Sequence, residues 1–227
     1  MIRFDEVTLA SNSNRNFSKL IVFDMDSTLI DAECIDELAL AAGVADKVAQ
    51  ITDRTMRGEL DYHLALLERV KLLKGLEITK AKEAVEKIEL MPGAKELLEH
   101  VQSIGYKTAM LSGGFTLSSD RVAKLLNIDY VYANTLEVKN GYLTGVVSGP
   151  MTQNLSKEVA FEEIARKNGF LPEDCIVVGD GANDVCIFKR AGYSIAFNPK
   201  PILHQHADVI ISKKDLRTLI SVIDSLQ

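Results

Sequence analysis

Four residues, Leu20-Ile21-Val22-Phe23, run apolar and partly β-branched without a break and then stop at an acid, Asp24. A strand with one wet face alternates apolar and polar residues, whereas an unbroken apolar run suits a parallel strand buried on both faces. The pattern returns at Lys107-Thr108-Ala109-Met110-Leu111, Cys175-Ile176-Val177-Val178, Ser194-Ile195-Ala196-Phe197 and Asp208-Val209-Ile210-Ile211. Helical spacing fills the gaps. Residues 94–104 place Leu97, Leu98 and Val101 on one face, and residues 157–167 are expected to turn Val159, Phe161, Ile164 and Ala165 inward. Strands alternating with helices predict an α/β fold with a Rossmann-like, doubly wound, mainly parallel sheet core. Its ligand site belongs at the carboxyl ends of the strands.

Residues 33–90 break that rhythm. They read as helical throughout, with Gly43, Gly58 and Gly75 as breaks between helices, before Pro92-Gly93 restores the alternation. The expected organisation is a core of 1–32 and 91–227 with a small helical cap domain, 33–90, inserted after the first strand. Asn140-Gly141, flanked by alternating residues, predicts a hairpin within 136–147. Residues 1–17 are compatible with either an N-terminal arm or an edge strand.

Composition excludes several classes. With 227 residues, 47% of them hydrophobic, the chain can bury a core and is not disordered by default. The net charge is -6 and the basic residues are scattered among acids, so no nucleic-acid partner is expected. No apolar run approaches the roughly 18 residues of a membrane span. The first twenty residues carry charges inside any apolar stretch, which does not suit a signal peptide. Cys34, Cys175 and Cys186 form no CxxC pair and leave an odd count, arguing against a disulfide framework and for a cytoplasmic setting.

Four pieces carry chemistry. Asp24-Met25-Asp26-Ser27-Thr28 follows the first strand, where a loop can turn two carboxylates to one point, although a lone DxD also serves as a polar loop or cap. Ser112-Gly113-Gly114 follows the second; its glycines suit either a tight turn or backbone N–H groups aimed at an anion. Lys157 opens a helix, a position where a lysine is ordinarily a surface charge. Gly179-Asp180-Gly181-Ala182-Asn183-Asp184 follows another strand; its acids complement a helix dipole or supply hard oxygen ligands for magnesium. The order of the four makes coincidence improbable. His204-Gln205-His206, Cys34 and Cys186 read as surface or packing residues.

These pieces, in this order, resemble the haloacid-dehalogenase-like phosphohydrolase superfamily, and from Leu20 onward the chain is similar to its phosphoserine phosphatase family. The resemblance implies that Asp24 is the nucleophile forming an aspartyl-phosphate and that Asp26 is the general acid and base. It implies Mg2+ held by Asp24, the Asp26 carbonyl and Asp180, with Asp184 in or near the shell. Ser112, the Gly113 N–H and Lys157 would hold phosphoryl oxygens, and Asn183 would orient that shell. Glu33 would take a substrate ammonium and Arg69 its carboxylate in a bidentate fork. Met56 and Tyr62 would line the pocket; Tyr62 departs from an expected phenylalanine, and its hydroxyl needs a partner if buried. Without that resemblance, Glu33 and Arg69 would be an ordinary helix-surface pair.

The expected activity is magnesium-dependent hydrolysis of O-phospho-L-serine, a small-molecule substrate, by a monomer or homodimer with no preceding regulatory domain and no membrane partner. The rivals are a phosphotransferase to an acceptor such as homoserine, a phosphatase for another small monoester, and a catalytically silent binding protein.

Overall fold

The computed structural model describes residues 2–4, 7–9, 20–152 and 156–227. Among the described residues nine strands form one sheet in the order β1 (Ile2–Phe4), β2 (Val7–Leu9), β9 (Val209–Ile211), β8 (Tyr193–Phe197), β7 (Ile176–Gly179), β3 (Leu20–Phe23), β4 (Lys107–Phe115), β5 (Tyr130–Lys139) and β6 (Tyr142–Ser148). The six from β9 to β5 are parallel, and the chain adds antiparallel partners at both edges. Residues 2–4 and 7–9 are therefore antiparallel strands at one edge of the sheet, while residues 1, 5–6 and 10–17 of the expected arm lie outside the described residues.

The two-sided burial of the parallel strands explains their unbroken apolar sequence. Ile21 and Phe23 of β3 face a core shared with α5 (Ala94–Ser103), α6 (Thr116–Leu126) and α9 (Thr218–Asp224). Leu20 and Val22 face the opposite layer, where α7 (Ser156–Lys167) contributes Ala160, Phe161, Ile164 and Ala165. Val159 does not join them: it is 61% exposed, contrary to the inward placement expected from spacing. At about 100° per residue, Val159 and Phe161 stand about 200° apart and cannot share a face. Ala160 takes the inward position, and Lys157 falls in the middle of the same buried arc.

Between β3 and α5 the chain forms α1 (Cys34–Ala41), α2 (Ala45–Met56), α3 (Tyr62–Leu72) and α4 (Ile78–Glu86). Gly43, Gly58 and Gly75 fall between successive helices at positive φ, a backbone region that glycine adopts without steric cost. The chain enters and leaves this helical segment through two adjacent extended stretches. Ile30 bridges Leu90, with the Asp31 N–H donating to the Glu89 carbonyl at 3.0 Å and the Met91 N–H to the Leu29 carbonyl at 2.9 Å.

The β5–β6 hairpin turns at Asn140-Gly141, both at positive φ, with Lys139 paired to Tyr142. That is the two-residue turn the dipeptide predicts. The hairpin also reaches the helical segment. The N–H groups of Gly75 and Ile78 donate to the carbonyls of Leu143 and Gly141, each at 2.9 Å.

Candidate active site

Strand order brings the motifs together. β3 lies between β4 and β7, all parallel, so Asp24 and Asp180 follow adjacent strands at the carboxyl end of the sheet, beside Ser112 in the last part of β4. This is the point where the winding reverses direction from β3, the usual position for a ligand crevice. The Asp24 N–H donates to the Val178 carbonyl at 2.9 Å, fastening the first motif to the last. Within the first loop the Met25 carbonyl accepts from the N–H groups of Thr28, Leu29 and Ile30, and Ser27 sits at φ 55. A residue with a Cβ is costly in that region, and such strain gathers at functional loops.

Lys157 reaches this end of the sheet from the buried face of α7. Its Nζ lies 2.8 Å from Asp24 Oδ1 and 2.6 Å from Asp184 Oδ1, with all three side chains buried. The other Asp184 oxygen accepts from the N–H groups of Asp180 and Gly181, each at 3.1 Å. Gly179 admits this approach, because a Cβ there would overlap the Asp184 carboxylate. Asp24, Asp180 and Asp184 each present an oxygen, all within 4.8 Å of one another. Three buried hard-oxygen donors so close together fit a small divalent cation, which would relieve their mutual repulsion.

The electrostatics follow. Burial, with Asp184 and Asp180 adding to it against the pull of Lys157, raises Asp24 to about 7. Asp180 rises to about 6, again chiefly through burial. Burial works against the charge of Lys157, but Asp184 and Asp24 outweigh it and hold its pKa above the ordinary lysine value. Asp26 is raised well above the usual carboxylate range by burial first, then by Glu33 and Asp24. Removal from water is thus a larger cause than like-charge repulsion. Asp26 Oδ1 accepts from the Cys34 N–H at 3.0 Å, so the acid is oriented by the first residue of α1.

Ser112 and Gly113 lie within β4 rather than after it, at the register shift between Leu111 and Phe115 in its pairing with β5. Ser112 is buried and its Oγ accepts from the Gly114 N–H at 2.9 Å, leaving the hydroxyl proton to donate. A cavity of about 570 Å³ opens over this end of the sheet, lined by Tyr62, Gly113, Lys157 and Asn183 among others. Cys186 also lines it, whereas Cys34 is buried and His204 exposed.

The remaining expected residues are placed unevenly. Glu33 Oε1 accepts from Ser27 Oγ at 3.0 Å and lies 3.9 Å from Lys200 Nζ. Arg69 Nε donates to the Ala65 carbonyl at 3.2 Å, and its charge acts on both Asp36 and Tyr62. Met56, the last residue of α2, is 64% exposed and does not line the cavity. Tyr62 is 41% exposed as a residue, yet its ring is aimed inward at Gly113 and desolvation pushes the phenol up to about 12.

Two contributors escaped the sequence reading. Lys200 lies 3.4 Å from Asp180 Oδ2 as well as beside Glu33, bridging the strand ends and the helical segment. It follows β8 at a carboxyl strand end, the signal that marked the other motifs. Asn134, buried on β5, donates from Nδ2 to the Gly113 carbonyl at 2.9 Å and accepts from the Met151 N–H at 3.0 Å, clamping the glycine loop. No local pattern marks it.

The model of the haloacid dehalogenase-like hydrolases matches residues 18–192. A phosphoserine phosphatase of Archaeoglobus fulgidus is 49% identical over 213 residues, 94% of this chain; the match spans 62% of that protein's length. A phosphoserine phosphatase of Methanocaldococcus jannaschii is 44% identical over 205 residues, covering 90% of this chain and 97% of that protein. A solved phosphoserine phosphatase carrying a phospho-aspartyl intermediate analogue superposes with a TM-score of 0.85 at 44% identity, covering 91% of this chain and 99% of that one. A substrate-bound phosphoserine phosphatase complex gives 0.85 at 42% identity, covering 92% and 99%. The chain belongs to the haloacid dehalogenase-like hydrolases, within their phosphoserine phosphatase family. Among the described residues no helix is long and apolar enough to cross a membrane.

Proposed function

We propose that this chain hydrolyses O-phospho-L-serine to serine and phosphate through an aspartyl-phosphate on Asp24. The observation that carries the chemistry is Asp24 paired to buried Lys157 beside Asp180 and Asp184. The substrate follows from similarity to phosphoserine phosphatases along nine-tenths of the chain.

Asp24 attacks phosphorus, the bond to the serine oxygen breaks, and Asp26 gives that oxygen its proton. Asp26 then takes a proton from the water that attacks the acyl phosphate, and phosphate leaves. A carboxyl raised by burial is suited to both tasks at neutral pH. Ser112, the Gly113 N–H and Lys157 hold the phosphoryl oxygens, and Asn183 orients the shell. Asp24, the Asp26 carbonyl and Asp180 would hold Mg2+, with Asp184 in or near its shell. When bound, the ion supplies the positive charge that lets a phosphate dianion sit among carboxylates.

Residues 33–90 act as a cap domain on the core formed by 1–32 and 91–227, and the paired strands at Ile30 and Leu90 are its hinge. Closure excludes water and completes the pocket. There Glu33 takes the substrate ammonium, Arg69 takes the carboxylate and Tyr62 fills the remaining space, with Met56, outside the cavity in this structure, joining it only on closure. The three cysteines are free, which suits a cytoplasmic enzyme, monomeric or homodimeric. A steady-state comparison of small phosphate esters with Mg2+ present tests the reading. Phosphoserine should have the highest kcat/KM, and equal rates across the panel would reduce the assignment to an unspecified phosphatase.

A further inference from the structure

Tyr62 opens α3 on the helical side of the cleft, and Gly113 lies on β4 on the sheet side. The two meet: a Cβ added to Gly113 would run into the Tyr62 hydroxyl. Both line the cavity with Lys157 and Asn183. The phenol feels the charges of Arg69, Lys157, Asp24 and Asp26. No protein group is hydrogen-bonded to this hydroxyl among the described residues. A buried phenol ordinarily finds a partner, and here the hydroxyl stands against the glycine placed to hold a phosphoryl oxygen. Held up to about 12 by desolvation, the hydroxyl keeps its proton at neutral pH and remains a donor. Phenylalanine, which the family resemblance leads one to expect at this position, would fill the same space with no donor.

We propose that the Tyr62 hydroxyl donates a hydrogen bond to a phosphoryl oxygen of the bound ester, beside the Gly113 N–H. This deepens the phosphatase reading and rests on it. The cap segment then contacts the phosphate as well as the amino-acid end, so closing the cleft adds a donor where negative charge is held. The contact is available to any ester the cleft admits, because it is made to the group all of them share.

Tyr62→Phe removes one oxygen and leaves the packing in place. It should lower kcat/KM by about 10- to 100-fold, the range for a lost hydrogen bond to a charged group, and by a similar factor for phosphoserine and phosphoethanolamine. Competitive inhibition by inorganic phosphate should weaken, with Tm unchanged within about 2 °C. Unchanged inhibition by inorganic phosphate in Tyr62→Phe overturns the proposal. So does a loss confined to phosphoserine, which would put the hydroxyl on the substrate carboxylate. A fall in Tm with phosphate inhibition intact would make Tyr62 a packing residue. Failure of the wild type to prefer phosphoserine would defeat the substrate reading, while the phosphate-inhibition comparison would still test the hydroxyl.

Discussion

The ammonium of Lys157 sits 2.8 Å from Oδ1 of Asp24, both side chains buried at the carboxyl ends of the central strands. Asp184 holds the same ammonium from another side at 2.6 Å. Lysine is thus the counter-charge that lets these acids share a dry site before any divalent cation adds to it. Removing one partner of a buried pair leaves a charge without compensation. Lys157→Met should therefore cost about 3–5 kcal/mol of stability in chelator, read from denaturant unfolding. Mg2+ should recover part of the loss by binding the folded state alone. A cost of about 0–1 kcal/mol, typical of an exposed pair, would mean that the cluster is solvated.

Asp24 stands at the end of β3 with its backbone fastened to β7. Asp24→Asn keeps the shape of the side chain and removes the nucleophile. Turnover should be abolished while the fold and cooperative unfolding persist, and phosphate should be trapped on the wild type only. The measurement is phosphate release together with acid-quench labelling, using protein checked by mass for deamidation. Near-normal turnover of Asp24→Asn would remove covalent catalysis at this residue.

Asp24 and Asp180 titrate at about 7 and about 6 in the folded protein, against an ordinary 3.8. Carboxyls raised by folding bind more protons folded than unfolded. Their contribution is whole below about pH 4 and is lost as pH climbs through these two values. In chelator, Tm should therefore fall between about pH 5 and pH 7.5. Asp180→Asn should flatten that slope. Adding Mg2+ should raise Tm more at the upper end, where the acids are ionised and can bind it. A Tm that climbs with pH across this window in metal-free buffer would contradict the cluster's electrostatics.

Glu33 is held by Ser27 and faces Lys200, while Arg69 lies on α3 within electrostatic reach of Tyr62. If they read the amino acid, Arg69→Ala should lose about 2–5 kcal/mol of transition-state stabilisation for phosphoserine and little for phosphoethanolamine, which lacks the carboxylate. Arg69→Lys should recover only part, because an ammonium has no planar fork. Glu33→Gln should hurt substrates with an ammonium and spare esters without one. Comparable kcat/KM losses on every substrate would make both residues supports of the helical segment.

Some of this was legible in the chain itself. Unbroken apolar runs leading into Asp24 and into Gly179-Asp180 mark parallel strands, because burial on both faces suits Leu20-Ile21-Val22-Phe23. Asn140-Gly141 specifies its turn, and Gly43, Gly58 and Gly75 mark helix ends, because each acts through its own backbone torsions. Such signals are local, so neighbouring residues suffice to express them.

Tertiary structure alone decided the rest. Lys157 meets Asp24 across a separation of 133 residues because β3 lies between β4 and β7 and the inner face of α7 points at those strand ends. Lys200 joins Asp180 to Glu33, and Tyr62 reaches Gly113, only because the helical segment folds back over the strand ends. Burial, rather than repulsion alone, raises Asp26, and no reading of neighbouring charges could supply it. These contacts depend on strand order and on which surfaces are closed to water. Both are properties of the packed chain as a whole, carried by no single stretch of residues.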